Sequence, residues 1–199
     1  MNIILILVLS IILLTGCNNN DSSSNYSAER TTYDVNTTNA ENYNYYSSDS
    51  QELFTYKTTI YTKTDERQNN VRLACNQLNG VIVSPFETFS FCETLGPATP
   101  EDGYQKADTF DSEGEIYQEY GGGKCQVSST LYNAVKDIPG IEIVERSEHS
   151  NEVPYVPDGL DAAVAYGSVD FKFKNNNTYS IKILANATDD EVIIRIIRI

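Results

Sequence analysis

Residues 120–133 read Tyr120-Gly121-Gly122-Gly123-Lys124-Cys125-Gln126-Val127-Ser128-Ser129-Thr130-Leu131-Tyr132-Asn133. Val127, Leu131, Ala134, Val135 and Ile138 follow at helical spacing on one face until Pro139-Gly140 stops the pattern, so a helix opens directly out of a glycine-rich loop. Cys125 then stands in the first turn of that helix. Free amides and the macrodipole at such an end favour thiolate over thiol, and the same amides can hold an oxyanion. The glycines allow φ > 0 and a close approach of backbone to substrate. A small cysteine buried on a helix is the alternative for the same residue.

Upstream of that stretch, Phe54, Tyr56, Thr58 and Ile60 alternate with Thr55, Lys57 and Thr59, which predicts a strand. Val71, Cys75 and Leu78 recur behind Asp65-Glu66 and ahead of Asn79-Gly80, which predicts a helix. Val81–Val83 and Thr88–Phe91 read as strands around Ser84-Pro85. Residues 101–119 hold seven acids and one lysine and read as a solvated face with a hairpin tip at Ser112-Glu113-Gly114. Downstream, Ile141–Val144, Ala162–Ala165, Val169–Lys174, Tyr179–Ala187 and Glu191–Ile199 are strand-like. The last of these is apolar on both faces apart from two arginines and is expected to pair centrally. The fold expected is α+β: a mixed or mainly antiparallel sheet with two principal helices, one starting at the glycine loop.

The N-terminal region follows other rules. Ile3–Leu14 is almost wholly apolar but its 12 residues are short of the roughly 20 that span a bilayer. With Leu14-Thr15-Gly16-Cys17 behind it, the segment reads as a lipoprotein signal peptide, residues 1–16, cut before a lipidated Cys17. Of the 33 residues from 18 to 50, 19 are Asn, Ser or Thr and the one branched aliphatic is Val35, so residues 17–50 read as a flexible tether. The folded domain is expected over 51–199, outside the cell membrane and anchored to it by lipid.

Composition removes several functions. The 199 residues carry 14 Lys plus Arg against 28 Asp plus Glu, a net charge of −14, which would repel nucleic acid. One histidine and four scattered cysteines cannot build the common zinc or iron sites, so no metal is expected. No phosphate-cradling glycine motif is present, and no cofactor is expected. The single imidazole, His149 in Glu145-Arg146-Ser147-Glu148-His149-Ser150, is the base available to a nucleophile at Cys125.

Phe89-Ser90-Phe91, Gly103-Tyr104, the block from Gly121 through Ala134, Glu145-Arg146 with His149-Ser150, Tyr155-Val156-Pro157, Asp161-Ala162 and Asp170 with Phe173 resemble the VanW family, in motif order over roughly residues 54–187. The resemblance implies an extracytoplasmic domain tied to peptidoglycan and L,D-transpeptidase activity through a Cys nucleophile. On that basis Cys125 would be the nucleophile and His149 its base, with stem peptides as partners. Asp161, and after it Asp170, is the expected group orienting the imidazole. Gly122, Gly123 and Gln126 would supply oxyanion and substrate contacts, and Arg146 would pair with a substrate carboxylate or else with neighbouring acids. A cysteine peptidase cutting stem peptides and a non-enzymatic module binding wall peptide or glycopeptide remain open alternatives.

Two places depart from the family pattern. Cys92 stands where Asn is usual, and Pro85-Phe86-Glu87 stands where a Pro-Gly-Glu turn is expected. Cys75 and Cys92, 17 residues apart, are expected either to form a disulfide in an exported domain or to remain two reduced thiols.

Overall fold

A computed structural model describes residues 50–110 and 116–199. The expected signal peptide at residues 1–16, Cys17, the expected tether up to residue 49 and the expected hairpin tip at Ser112-Glu113-Gly114 lie outside the described residues. Those described belong to one of the two units into which the chain divides, Asn44–Ile199.

The alternating segment at the start of the domain is β1 (Gln51–Thr59), and the 3.6-periodic segment after it is α1 (Asp65–Leu78). Thr64 caps α1 by accepting a hydrogen bond from the Arg67 amide, and Asp65 and Glu66 sit in the first turn, where the positive end of the helix favours acids. Two short strands follow, β2 (Ile82–Val83) and β3 (Thr88–Ser90), then a one-turn helix α2 (Phe91–Leu95). The hairpin β4 (Lys106–Phe110) and β5 (Ile116–Tyr120) leads into α3 (Lys124–Val135), the helix carrying Cys125. The chain ends in β6 (Ile141–Glu145), β7 (Lys172–Asn175), β8 (Ile181–Ala187) and β9 (Glu191–Arg198).

The α+β class and the antiparallel pairing are as the sequence predicts, but the strands divide among three sheets. One runs β1-β9-β8-β2, a second β3-β7-β6, and β4-β5 stands as a two-stranded hairpin. β9 is central as expected, flanked by β1 and β8. Its Val192, Ile194 and Ile196 join Ile181 and Ile183 of β8 in a core with Val71, Ala74, Cys75 and Leu78 of α1 and Val127, Leu131, Ala134 and Val135 of α3. Burying each such aliphatic side chain is worth about 1.5–3 kcal/mol, so this core is what fixes the two helices over the sheet.

Three local expectations are corrected. Phe91 does not extend β3: Ser90 ends the strand and caps α2, its hydroxyl accepting from the Glu93 amide at 3.1 Å. Val169–Lys174 is a ladder strand only from Lys172 onward. Ala162–Ala165 makes isolated bridges, Ser147 with Ala163 and Ala165 with Val169, rather than a strand. Its backbone groups are occupied by α3 instead, since Ala162 N–H donates to the Ser129 hydroxyl at 2.9 Å and Ala162 C=O accepts from Ser128 and Ser129. The altered turn keeps a left-handed conformation, with Phe86 at φ 65°. A side chain there costs about 1–2 kcal/mol relative to glycine. Among the described residues, no helix is long and apolar enough to cross a membrane.

Candidate active site

Cys125 opens on a cleft of about 840 Å³ whose walls are the glycine loop, the β4–β5 hairpin, the His149 loop and residues 163–169. The glycines are there because the backbone passes other backbone at close range. A Cβ on Gly122 would lie 2.7 Å from the Ala107 carbonyl oxygen and 2.8 Å from that of Asp108. Gly123 caps α3 at φ 114°, and a Cβ there would meet Val71 Cγ2 at 2.8 Å. Gly122→Ala must therefore push the loop away from β4. We expect it to cost about 1–3 kcal/mol, read as a lower urea midpoint, and to slow iodoacetamide alkylation of Cys125; an unchanged midpoint would refute the close approach.

The sulfur of Cys125 contacts the crossing segment, accepting from the Val164 amide at 3.5 Å and lying 3.4 Å from the Val164 carbonyl oxygen. His149 borders the same cleft, near enough to Cys125 for the thiol to bear on its protonation. Its Nδ1 is held by Asp161 Oδ2 at 2.5 Å, and its backbone amide donates to the same oxygen at 2.6 Å. With Nδ1 committed to Asp161, Nε2 is the nitrogen left for the thiol. Asp161 is 6% exposed. The structure thus places Cys125 and His149 on one cleft and holds His149 in place with Asp161.

Asp170 is elsewhere. Its carboxylate accepts from the Ser90 hydroxyl, the Cys92 amide and the Phe171 amide, clamping α2 to the entry of β7.

Electrostatics follow from these contacts. Burial opposes the imidazolium, but the hydrogen bond and charge of Cys125, and then those of Asp161, outweigh it and raise the His149 pKa. Burial likewise opposes the Asp161 carboxylate, but hydrogen bonds from the His149 amide and ring prevail and lower its pKa. The His149 contribution to stability is fully present below the ordinary 6.5 and is lost as pH rises through the raised folded value. That of Asp161 is present above 3.8 and is lost as pH falls through its lowered folded value. The stability difference between wild type and His149→Gln should therefore be largest between 3.8 and 6.5 and shrink above it. Urea midpoints measured across that range and up to pH 9 check this; a difference that grows with pH contradicts it.

Contacts in the structure correct the expectation for Gln126 and decide between the alternatives left for Arg146 and for Cys75 and Cys92. Gln126 is 1% exposed and faces inward, donating to Thr58 Oγ1 at 3.1 Å and to the Thr59 carbonyl at 3.0 Å. Its amide is bonded to the Gly123 carbonyl and that of Lys124 to the Gly121 carbonyl, so neither is free for an oxyanion. Arg146 serves the scaffold: Nε donates to the Asp161 carbonyl, the terminal nitrogens to Glu148, Gly159 and Asp161, and the guanidinium stacks 4.9 Å from the Tyr132 ring centroid. Cys75 and Cys92 are both free thiols. They face different surroundings, Cys75 being fully buried in the core and Cys92 donating to the Val169 carbonyl at 3.3 Å.

Two cleft residues were missed. Tyr155 is pushed up by burial and by the charge of Cys125, so its phenol stays protonated as a hydrogen-bond donor. Arg67 enters from α1 and donates to Gln126 Oε1 at 3.2 Å. Its position four residues before Val71, on the helix that Gly123 touches, was the available signal.

A profile of the family described as VanW like protein matches residues 66–197. The chain belongs to the VanW family. It is 41% identical over 145 residues to YoaR of Bacillus subtilis strain 168, described as uncharacterised, an overlap of 73% of this chain and 47% of that protein. It is 30% identical over 133 residues to the vancomycin B-type resistance protein VanW of Enterococcus faecalis, covering 62% of this chain and 46% of the relative. The chain thus spans about half the length of these curated VanW relatives. No solved structure matches it. The matched span includes all of α1 but Asp65, together with Cys125, His149 and Asp161.

Proposed function

We propose that this VanW-family protein crosslinks peptidoglycan by Cys-dependent L,D-transpeptidation. The observation that carries the reading is that Asp161 holds the ring of His149, which shares the wall of an open cleft with Cys125 and feels its thiol. A base oriented by a carboxylate and touching a thiol is the arrangement that activates a nucleophile. His149 takes the thiol proton as sulfur attacks the carbonyl of the diamino acid at position three of a donor stem peptide. The S–C bond forms, the C–N bond breaks, and the terminal D-alanine leaves with the proton returned by His149. The side-chain amine of an acceptor stem then attacks the thioester, gives its proton to His149 and expels the thiol. With Lys124 and Gln126 amides engaged, the backbone N–H groups of Gly122, Gly123 and Cys125 are the loop donors proposed for the oxyanion.

The same proposal places the protein at the outer face of a bacterial membrane, anchored through lipid on Cys17, with stem peptides as substrates. Mass spectrometry of muropeptides from cells making and lacking the protein tests the function. Extra 3–3 crosslinked dimers support transfer; shortened monomers alone point to a peptidase, and an unchanged profile points to a binding module.

A further inference from the structure

We infer that Arg67 is a carboxylate-recognition residue of the Cys125 cleft, so that the peptide presented to the thiol carries a free carboxylate within one residue of the carbonyl attacked. The inference deepens the proposed function and rests on Cys125 being its nucleophile. Of the five described arginines, Arg72, Arg146 and Arg195 are ion-paired, to Asp189, to Glu148 and Asp161, and to Glu52. Arg198 is exposed and stacks on Tyr179. Arg67 differs from all of these: it is half-buried in the cleft and has no carboxylate partner among the described residues.

Its donors are also underused. One terminal nitrogen donates to Gln126 Oε1, while the buried Nε has no hydrogen-bond partner at all. A guanidinium has five N–H groups, and leaving a buried one unmade is costly. The acceptor that does hold it is fixed from behind, because the Gln126 amide nitrogen is tied to Thr58 and Thr59. The Thr58 hydroxyl is in turn bonded to that of Thr130 at 2.8 Å. Asp108 faces the same cleft and its charge is felt at Arg67, but it makes no ion pair there and accepts instead from Gln118 at 2.7 Å. An oriented, partly desolvated guanidinium with spare donors beside a nucleophile matches the two oxygens of a carboxylate. Two peptide carboxylates have this chemistry: the terminal one of the residue expelled, and the second carboxylate of a diamino acid.

The first arm of the test needs only a reactive thiol. Alkylation rates of Cys125 with iodoacetate and with neutral iodoacetamide are compared in wild type, Arg67→Gln and Arg67→Lys, each checked for native circular dichroism. The iodoacetate-to-iodoacetamide ratio should fall roughly 10-fold or more in Arg67→Gln and be largely retained in Arg67→Lys, as for loss of a charge-assisted contact. The same ratio in wild type and folded Arg67→Gln overturns the inference.

The second arm uses wild-type protein and tetrapeptide donors amidated at one carboxylate or the other. One amidation should lower kcat/KM by roughly 10- to 100-fold in wild type and have little effect in Arg67→Gln, which identifies the carboxylate read. Donors indifferent to both amidations also overturn it. If the alkylation ratio shifts but no donor acylates Cys125, the transpeptidase reading fails while the anion subsite stands.

Discussion

Replacing Cys125 with alanine is expected to abolish 3–3 crosslink formation, a loss of about 10³-fold or more set by the detection limit. The other described thiols cannot take over. Burial pushes the Cys75 thiol up to about 12, and Cys75 is wholly enclosed by the core. Cys92 does border the cleft, but burial, then the charge and hydrogen bond of Asp170, push it to about 12 as well. Its sulfur points to the Val169 carbonyl rather than to the imidazole. Muropeptide analysis of cells carrying Cys125→Ala at wild-type protein levels checks this, together with peptide mapping after brief iodoacetamide treatment. Crosslinks persisting in the variant would remove Cys125 from the chemistry; label found first on Cys92 would reassign the nucleophile.

His149→Ala should slow acylation by about 10²- to 10⁴-fold, the usual worth of general base catalysis. The loss should fall on kcat, because the imidazole is the proposed base for the thiol and not the proposed carboxylate reader. Asp161→Asn is the informative companion. Nδ1 and the backbone amide of His149 both bond one oxygen of Asp161, so the amide variant loosens the ring without removing it. It should retain more activity than His149→Ala and show a smaller stability change on passing from pH 5 to pH 8 than wild type. Single-turnover acylation by a tetrapeptide donor measures both; a His149→Ala rate within a factor of three of wild type would leave the histidine with a structural role only.

The regular elements near the site were legible because a single period governed each. α3 announces itself by Val127, Leu131 and Val135, and β9 by an apolar run that a central strand buries. Where side chains substitute for ladder bonds, period carries no signal. Ala162–Ala165 looks like a strand, but Ser128, Ser129 and Cys125 hold its backbone. The turn of α2 was readable in principle, since Ser90 and Glu93 have capping-box spacing, but the apolar run through Phe91 masked it. Cys125 and His149 could be named from type and position alone. Ranking Asp161 over Asp170 required the Ser147–Ala163 bridge, which sets Asp161 beside His149. Arg146 turned to the scaffold, and Arg67 was passed over, for a similar reason: a guanidinium's partners are chosen by the fold, and the loop at Gly159–Asp161 surrounds Arg146.

The pairing of β1 with β9 imposes an order in time. Gln51 meets Arg198 and Thr59 meets Glu191, so the first strand of the domain finds its neighbour only in the last. Whenever the chain is delivered from its N-terminus, by a ribosome or through a membrane channel, β1 waits for this partner until β9 has emerged. Loop closure over that separation makes the sheet a late and slow event. A polypeptide built this way completes its central sheet, and with it the part of the core that β9 supplies, only after β9 is free.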